Sequence, residues 1–210
     1  QDMGSTILLF LKHIRRLKVD HRKSDGSIVN LLSMCANNTR EINQSRVEVN
    51  ELLSSSDPEH ILTELSIKGQ VYSSCRHEYE VVVEGLEHTE AWRVVGGFFV
   101  DNDDKVISVC RNMIQNEEKA LPYAGAAWPL NLNHTVPGQV FCFLPVPIQT
   151  NIPIQINGYF DLDDSRQSMF LDPSSHGSAG NRVEWNKALL ENSVAQAYIR
   201  LLEELRTDIE

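Results

Sequence analysis

Short apolar runs separated by Gly, Pro and Asn residues recur along the chain and predict a series of strands. Residues 78–84 and 91–100 alternate or are rich in β-branched side chains, and Gly85 between them predicts a hairpin. Residues 28–32 follow a turn at 24–27, which predicts a second hairpin with a strand near Val19. The remaining predicted strands are residues 124–128, 140–144 and 154–157.

Apolar residues at spacings of three and four predict helices between these strands. The helix near the C-terminus has the broadest apolar face, and the four predicted helices are residues 7–15, 39–53, 105–116 and 181–205. This order of elements predicts an α+β fold in which helices pack on one mixed or antiparallel sheet. We expect a single domain over residues 1–210, with flexible loops at 54–58 and 172–180.

The block at residues 139–170 combines a strand, an interruption and a polar loop. Pro145 and Pro147 lack backbone N–H groups, so this segment is expected at a sheet edge or outside the sheet. The loop that follows contains one arginine, Arg166, among three aspartates. Polar loops at strand ends often carry function, so this loop is the predicted functional segment, and its aspartates are Asp161, Asp163 and Asp164.

Composition and charge narrow the function classes. Hydrophobic content of 41% and charged content of 23% are typical of a soluble globular protein, and no apolar run is long enough to span a bilayer. The net charge of −10 argues against nucleic-acid binding, although residues 12–23 contain six Lys or Arg residues. That basic cluster is interpreted as the solvated face of a helix. Four widely spaced cysteines predict reduced thiols and a cytoplasmic protein, and they are Cys35, Cys75, Cys110 and Cys142.

The acidic loop and the histidines give only weak support for metal binding. The aspartates of the polar loop lack the glycine and the distal glutamate of a calcium loop, which favours a solvated turn. His176 has no second ligand at a zinc spacing. No metal site and no cofactor are therefore predicted in this segment, and a hydrolase that uses Asp161, Asp163 and His176 is the least favoured alternative.

Three stretches resemble the internal repeat of the sacsin family of very large co-chaperones. They are ILLFLKHIRRLKV at 7–19, FCFLPVPIQTNIPIQINGYFDLDDSRQSMF at 141–170 and VEWNKALLENSVAQAYIRLLEEL at 183–205. In that family an ATP-binding domain similar to that of the ninety-kilodalton heat-shock chaperones begins each repeat. The chain resembles the segment that follows that domain, which implies a likeness to the middle segment of those ATPases.

The resemblance implies that the chain couples an upstream ATP-binding domain, which would bind ATP and Mg²⁺, to client proteins or other chaperones. It also implies that Arg166 stabilises charge on the γ-phosphate as a catalytic residue in cis. The chaperones have a glutamine four residues after that arginine, where this chain has Phe170. Since no phosphate-binding or nucleophile motif occurs, the chain is not expected to be an enzyme alone. The second hypothesis is a pure interaction scaffold.

Overall fold

The computed structural model describes residues 5–100, 105–131, 136–172 and 180–207, and in these ranges the fold is α+β. The strands are β1 (Arg16–Arg22), β2 (Ile28–Ala36), β3 (Val71–Val83), β4 (Leu86–Phe98), β5 (Tyr123–Pro129), β6 (Gln139–Cys142), β7 (Leu144–Gln149) and β8 (Gln155–Gly158). The helices are α1 (Thr39–Ser45), α2 (Val47–Ser54), α3 (Pro58–Lys68), α4 (Lys105–Gln115), α5 (Gly180–Ala188) and α6 (Ala195–Thr207). A π-helical segment (Leu189–Val194) joins α5 to α6 without a break.

The eight described strands form one mixed sheet in the order β1-β2-β3-β4-β5-β8-β6-β7. All neighbouring pairs are antiparallel except β6 and β8, which are parallel. The β3–β4 hairpin is the longest, and its two-residue turn at Glu84 and Gly85 has positive φ angles of 39° and 88°. Turns of this kind match the twist of the strands, so the predicted hairpin is confirmed with a tighter connection.

Two hydrophobic cores cover the sheet. Adjacent residues of β4 point to opposite faces, so Val94 belongs to the smaller core and Val95 to the larger. The larger core takes side chains from α2 to α6, among them Leu52, Leu62, Ile107, Trp185 and Leu201. The smaller core packs the N-terminal segment and α1 against the sheet through Leu8, Leu9, Phe10 and Ile42.

The two edges of the sheet differ. The edge strand β7 contains Pro145 and Pro147, as their missing N–H groups predicted. The opposite edge is β1, in which every residue except Leu17 is exposed.

The predicted N-terminal helix over residues 7–15 is wrong. A 3-10 turn (Ser5–Leu8) is followed by an irregular segment in which Leu8, Leu9 and Phe10 are all buried. Three consecutive buried residues do not fit the one-sided stripe of a surface helix, and the Phe10 ring packs edge-on against Phe141 at 5.1 Å. The basic cluster therefore does not lie on a helix, since residues 16–22 form strand β1.

Three other element predictions need correction. The predicted strand at 140–144 is two strands, because Phe143 has a φ of 61° and reverses the chain between β6 and β7. Helix α3 was not predicted, although Asp57 accepts a hydrogen bond from Glu59 N at 3.0 Å and Pro58 follows it, which is a standard helix start. The helix predicted over 39–53 is divided at Arg46 into α1 and α2.

The other predictions stand or stay open. The single-domain assignment and the flexibility of residues 54–58 stay predictions, and most of the predicted loop at 172–180 lies outside the described residues. All four cysteines are free thiols, while the cytoplasmic location stays a prediction. None of the described helices combines the length and the apolar character needed to cross a membrane.

Candidate functional site

Helix α5 fixes the polar loop through side chains on one of its faces. Trp185 Nε1 donates a hydrogen bond to Tyr159 O at 2.9 Å. Asn186 is fully buried, and its amide accepts from Asp161 N at 2.8 Å and donates to Asp161 O at 2.8 Å and to Phe170 O at 3.1 Å. Asn186 therefore binds the backbone at both ends of residues 161–170, which we call the Arg166 loop.

Asp163 organises the interior of the Arg166 loop. One of its carboxylate oxygens accepts from Gln167 N at 2.8 Å and Ser168 N at 3.3 Å, and the other accepts from the hydroxyls of Ser165 at 2.9 Å and Ser168 at 3.0 Å. Burial opposes the charged form, but these hydrogen bonds outweigh it and hold the pKa of Asp163 below its usual value. The carboxylate stays ionised and shapes a tight turn.

Arg166 lies at the exposed tip of this loop. Its φ of 57° is in the left-handed region, and its backbone N donates to Asp163 O at 2.9 Å, so the turn fixes the direction of the side chain. Its Nη2 donates to Cys142 O at 3.1 Å. In the part of the chain that the structure describes, the guanidinium forms no ion pair with a carboxylate.

Arg182 of α5, which sequence reasoning missed, is the arginine that pairs with the acidic loop. Its Nε donates to Asp161 Oδ2 at 2.7 Å, its Nη2 binds Asp161 Oδ1, and Nη2 also donates to Leu162 O at 3.2 Å. The guanidinium lies 3.9 Å from the centroid of the Phe170 ring. The hydrogen bond with Asp161 is the main cause that raises the pKa of Arg182. This bidentate pair leaves Arg166 unpaired with Asp161.

The loop borders an open groove of about 500 Å³. Phe143, Tyr159 and Phe160 form the aromatic part of its lining. Phe143 packs between Tyr159 and the neighbouring Tyr123, with ring centroids 5.8 Å and 5.6 Å away. Charged side chains surround them, and the full lining is Glu118, Lys119, Cys142, Phe143, Tyr159, Phe160, Asp161, Arg166 and Arg182. Arg166 and Lys119 are exposed cations of this groove, so it can accept an anion.

The three loop aspartates do not converge on a metal position. Asp161 is held by Arg182, and both oxygens of Asp163 accept hydrogen bonds from the loop itself. Within the described ranges no group of three His, Cys, Asp or Glu side chains is placed to hold a metal ion. His176, the histidine weighed as a zinc ligand, lies outside those ranges.

The fold and this groove define an α+β segment built around a clamped polar loop with an exposed arginine. A known protein similar to this chain is human sacsin, with 25% identity over 206 residues. The match covers 97% of this chain but only 4% of sacsin. It confirms the predicted likeness to a sacsin-type region. No family model matches the chain, and no solved structure matches it.

Proposed function

We propose that this chain is the middle segment of a sacsin-like chaperone repeat. In this proposal it couples an ATP-binding domain, located upstream in the parent protein, to the binding of client proteins. The segment is not catalytic by itself, and Arg166 completes the hydrolytic site in cis. ATP and Mg²⁺ are bound by the upstream domain, and the groove beside Arg166 receives the terminal phosphate.

The observation that carries this proposal is the exposed position of Arg166 on a fixed loop. The arginine stands on a loop fixed by Asn186 and Asp163, and it is exposed and unpaired with the neighbouring aspartates. A guanidinium has five N–H donors, and one hydrogen bond to Cys142 O leaves most of them available for phosphate oxygens. A positioned cation of this kind stabilises the charge that develops during phosphoryl transfer.

The test is ATP turnover by the parent repeat that includes the upstream domain. Arg166→Ala should lower turnover by roughly 10³-fold, because arginines that stabilise transferring phosphoryl groups contribute at least that much. Arg166→Lys keeps the charge but loses the planar geometry and should restore only part of the rate. Arg40→Ala removes an exposed arginine of α1 and is the matched control, which should leave the rate unchanged.

A pure interaction scaffold is the second candidate, and the Arg166–Cys142 hydrogen bond favours it. That bond ties the loop to the end of β6, which a purely structural arginine would also do. Unchanged turnover in Arg166→Ala would leave Arg166 structural. Absence of turnover in the parent repeat with its native Arg166 would favour the scaffold.

Client contact is proposed for the exposed apolar residues of region 143–156. Leu144 and Ile152 are each 44% exposed there, whereas Val146 and Ile154 are buried. The double variant Leu144→Ser with Ile152→Ser should weaken suppression of client aggregation. Ile67→Ser on α3, where the side chain is 75% exposed, is the control for a general loss of apolar surface.

A further inference from the structure

Strand β1 offers an open sheet edge that the proposed ATP coupling does not use. It pairs with β2 on one side, and no strand in the described part of the chain pairs with its other side. The prolines of β7 interrupt the donors at the opposite edge. The sheet therefore has one edge that can add a further strand.

The hydrogen bonds of the β1–β2 pair show which backbone groups of β1 point outward. Ala36 N donates to Arg15 O, and Lys23 N donates to Ser27 O, both at 2.9 Å. In an antiparallel pair, the backbone N–H and C=O groups of successive residues point alternately toward the partner strand and away from it. With the bulge between Val19 and Asp20 in the register, the outward-facing residues of β1 are Arg16, Lys18, Asp20 and Arg22.

The side chains of β1 also differ between the two faces of the sheet. The four outward-facing residues share one face, which carries three cations and Asp20, and Asp20 pairs with Lys18 at 3.0 Å. Leu17, Val19 and His21 point to the other face. On that face a row of apolar residues runs across four strands, because Val19 is opposite Leu32, Leu32 opposite Val83 and Val83 opposite Leu86.

This apolar row is accessible. Val19 is 39% exposed, Val83 40% and Leu86 63%. A strand added beside β1 would extend the row with its own apolar residues and place its alternate residues beside the cations. Pairing of two copies of β1 would instead bring cationic strands together, which is unfavourable.

We propose that β1 binds an extended segment of another protein in which acidic and apolar residues alternate. Backbone hydrogen bonds to the outward-facing groups of β1 hold the segment. Acidic side chains meet Arg16, Lys18 and Arg22, and apolar side chains lie beside Leu17 and Val19. This interaction is independent of Arg166.

The first experiment measures binding of an alternating Glu-Val peptide of about eight residues, long enough to cover β1, by fluorescence anisotropy. A peptide with the same composition in two blocks cannot place its acids on one face and is the control. Lys18→Pro removes an outward N–H but no bond to β2, and should weaken binding roughly tenfold. Lys18→Ala keeps the backbone N–H and removes the charged side chain, and should weaken binding about twofold to threefold.

The second experiment leaves the protein unchanged and N-methylates the peptide at either all Glu or all Val positions. Only one of these sets faces β1 in an added strand, so one peptide should bind roughly tenfold more weakly than the other. Equal binding of both methylated peptides would overturn the proposal, as would equal binding of the alternating and block peptides. Concentration-dependent dimerisation abolished by Lys18→Pro would instead assign the edge to a second copy.

Discussion

Asn186 holds both ends of the Arg166 loop while it is itself excluded from water. Its amide makes three hydrogen bonds to backbone groups of Asp161 and Phe170. A buried amide has a strong requirement for such partners, and so do the backbone groups it satisfies. The loop geometry therefore depends on a residue that lies outside the loop in the sequence.

We expect Asn186→Leu to lower the free energy of unfolding by about 3 kcal/mol, because buried backbone groups lose their partners. Urea unfolding followed by circular dichroism measures this change. Asn151→Ala, on an exposed residue between β7 and β8, is the control and should change stability by less than about 0.5 kcal/mol. A loss of similar size in both variants would show that Asn186 does not clamp the loop.

His77 is a buried neutral side chain. Arg46 Nη2 lies 3.2 Å from His77 Nε2 and can only donate, so Nε2 accepts and Nδ1 donates to the Tyr79 hydroxyl at 2.9 Å. Burial, followed by the charges of Arg46 and Arg15, holds the pKa of His77 well below its ordinary value of 6.5. The unfolded chain therefore binds a proton below about pH 6.5 that the folded chain does not bind.

The free energy of unfolding should consequently fall as the pH decreases from about 6.5. His77 contributes up to about 1.4 kcal/mol per pH unit to this fall. Urea unfolding between about pH 7 and pH 5.5 measures the slope, above the range in which carboxylates titrate. His77→Gln keeps a neutral polar group at this position. It should reduce the dependence of the free energy of unfolding on pH, whether or not the substitution itself changes stability. Equal slopes for both proteins would contradict a neutral buried His77.

The exposed Arg166 loop was predictable, whereas its supports were not. A polar run after a strand indicates a surface loop from local sequence alone. Asn186 and Arg182 act on backbone and carboxylate groups 16 to 25 residues away, and no local pattern predicts such contacts. An asparagine within the apolar face of the last helix was the available signal.

At the scale of elements, the hairpins were predicted because turn residues and alternation are local. The N-terminal helix was wrong because Ile7, Leu11 and Ile14 have helical spacing, but burial of Phe10 against Phe141 outweighs that preference. Glycines inside a strand, such as Gly96 and Gly97 in β4, indicate either a bulge or a close backbone approach. The β3–β4 register is regular throughout, so the close approach is the correct alternative.

Gly97 tolerates no side chain in this hairpin. A Cβ there would lie 2.4 Å from Tyr72 Cα and 2.4 Å from Val71 O, both backbone atoms. Gly97→Ala should therefore lower the free energy of unfolding by about 2 kcal/mol or more, because the strands must separate locally. Gly96→Ala is the matched control, since its Cβ meets the Tyr123 hydroxyl at 3.3 Å. Equal losses in thermal unfolding would argue against the close approach.

At the scale of the whole molecule, β4 connects the two hydrophobic cores. Trp92 and Val94 contribute to the smaller core, while Val95 and Phe98 contribute to the larger one. Separating the cores would require breaking the long β3–β4 pair or exposing one face of it. The single-domain assignment for residues 1–210 stays a prediction, which the cooperativity of unfolding can test.

We expect one cooperative unfolding transition, which variants with a single tryptophan can test. In one variant Trp92 reports on the smaller core, in another Trp185 reports on the larger core, and the other tryptophans are replaced by Phe. In each variant, tryptophan fluorescence and far-UV circular dichroism should give the same urea midpoint, because coincident probes are the mark of two-state unfolding. Both probes are compared within the same variant, so destabilisation by Trp→Phe itself shifts both midpoints together. A fluorescence midpoint for Trp92 that precedes the circular dichroism midpoint, with coincidence for Trp185, would place the smaller core in a separately unfolding unit.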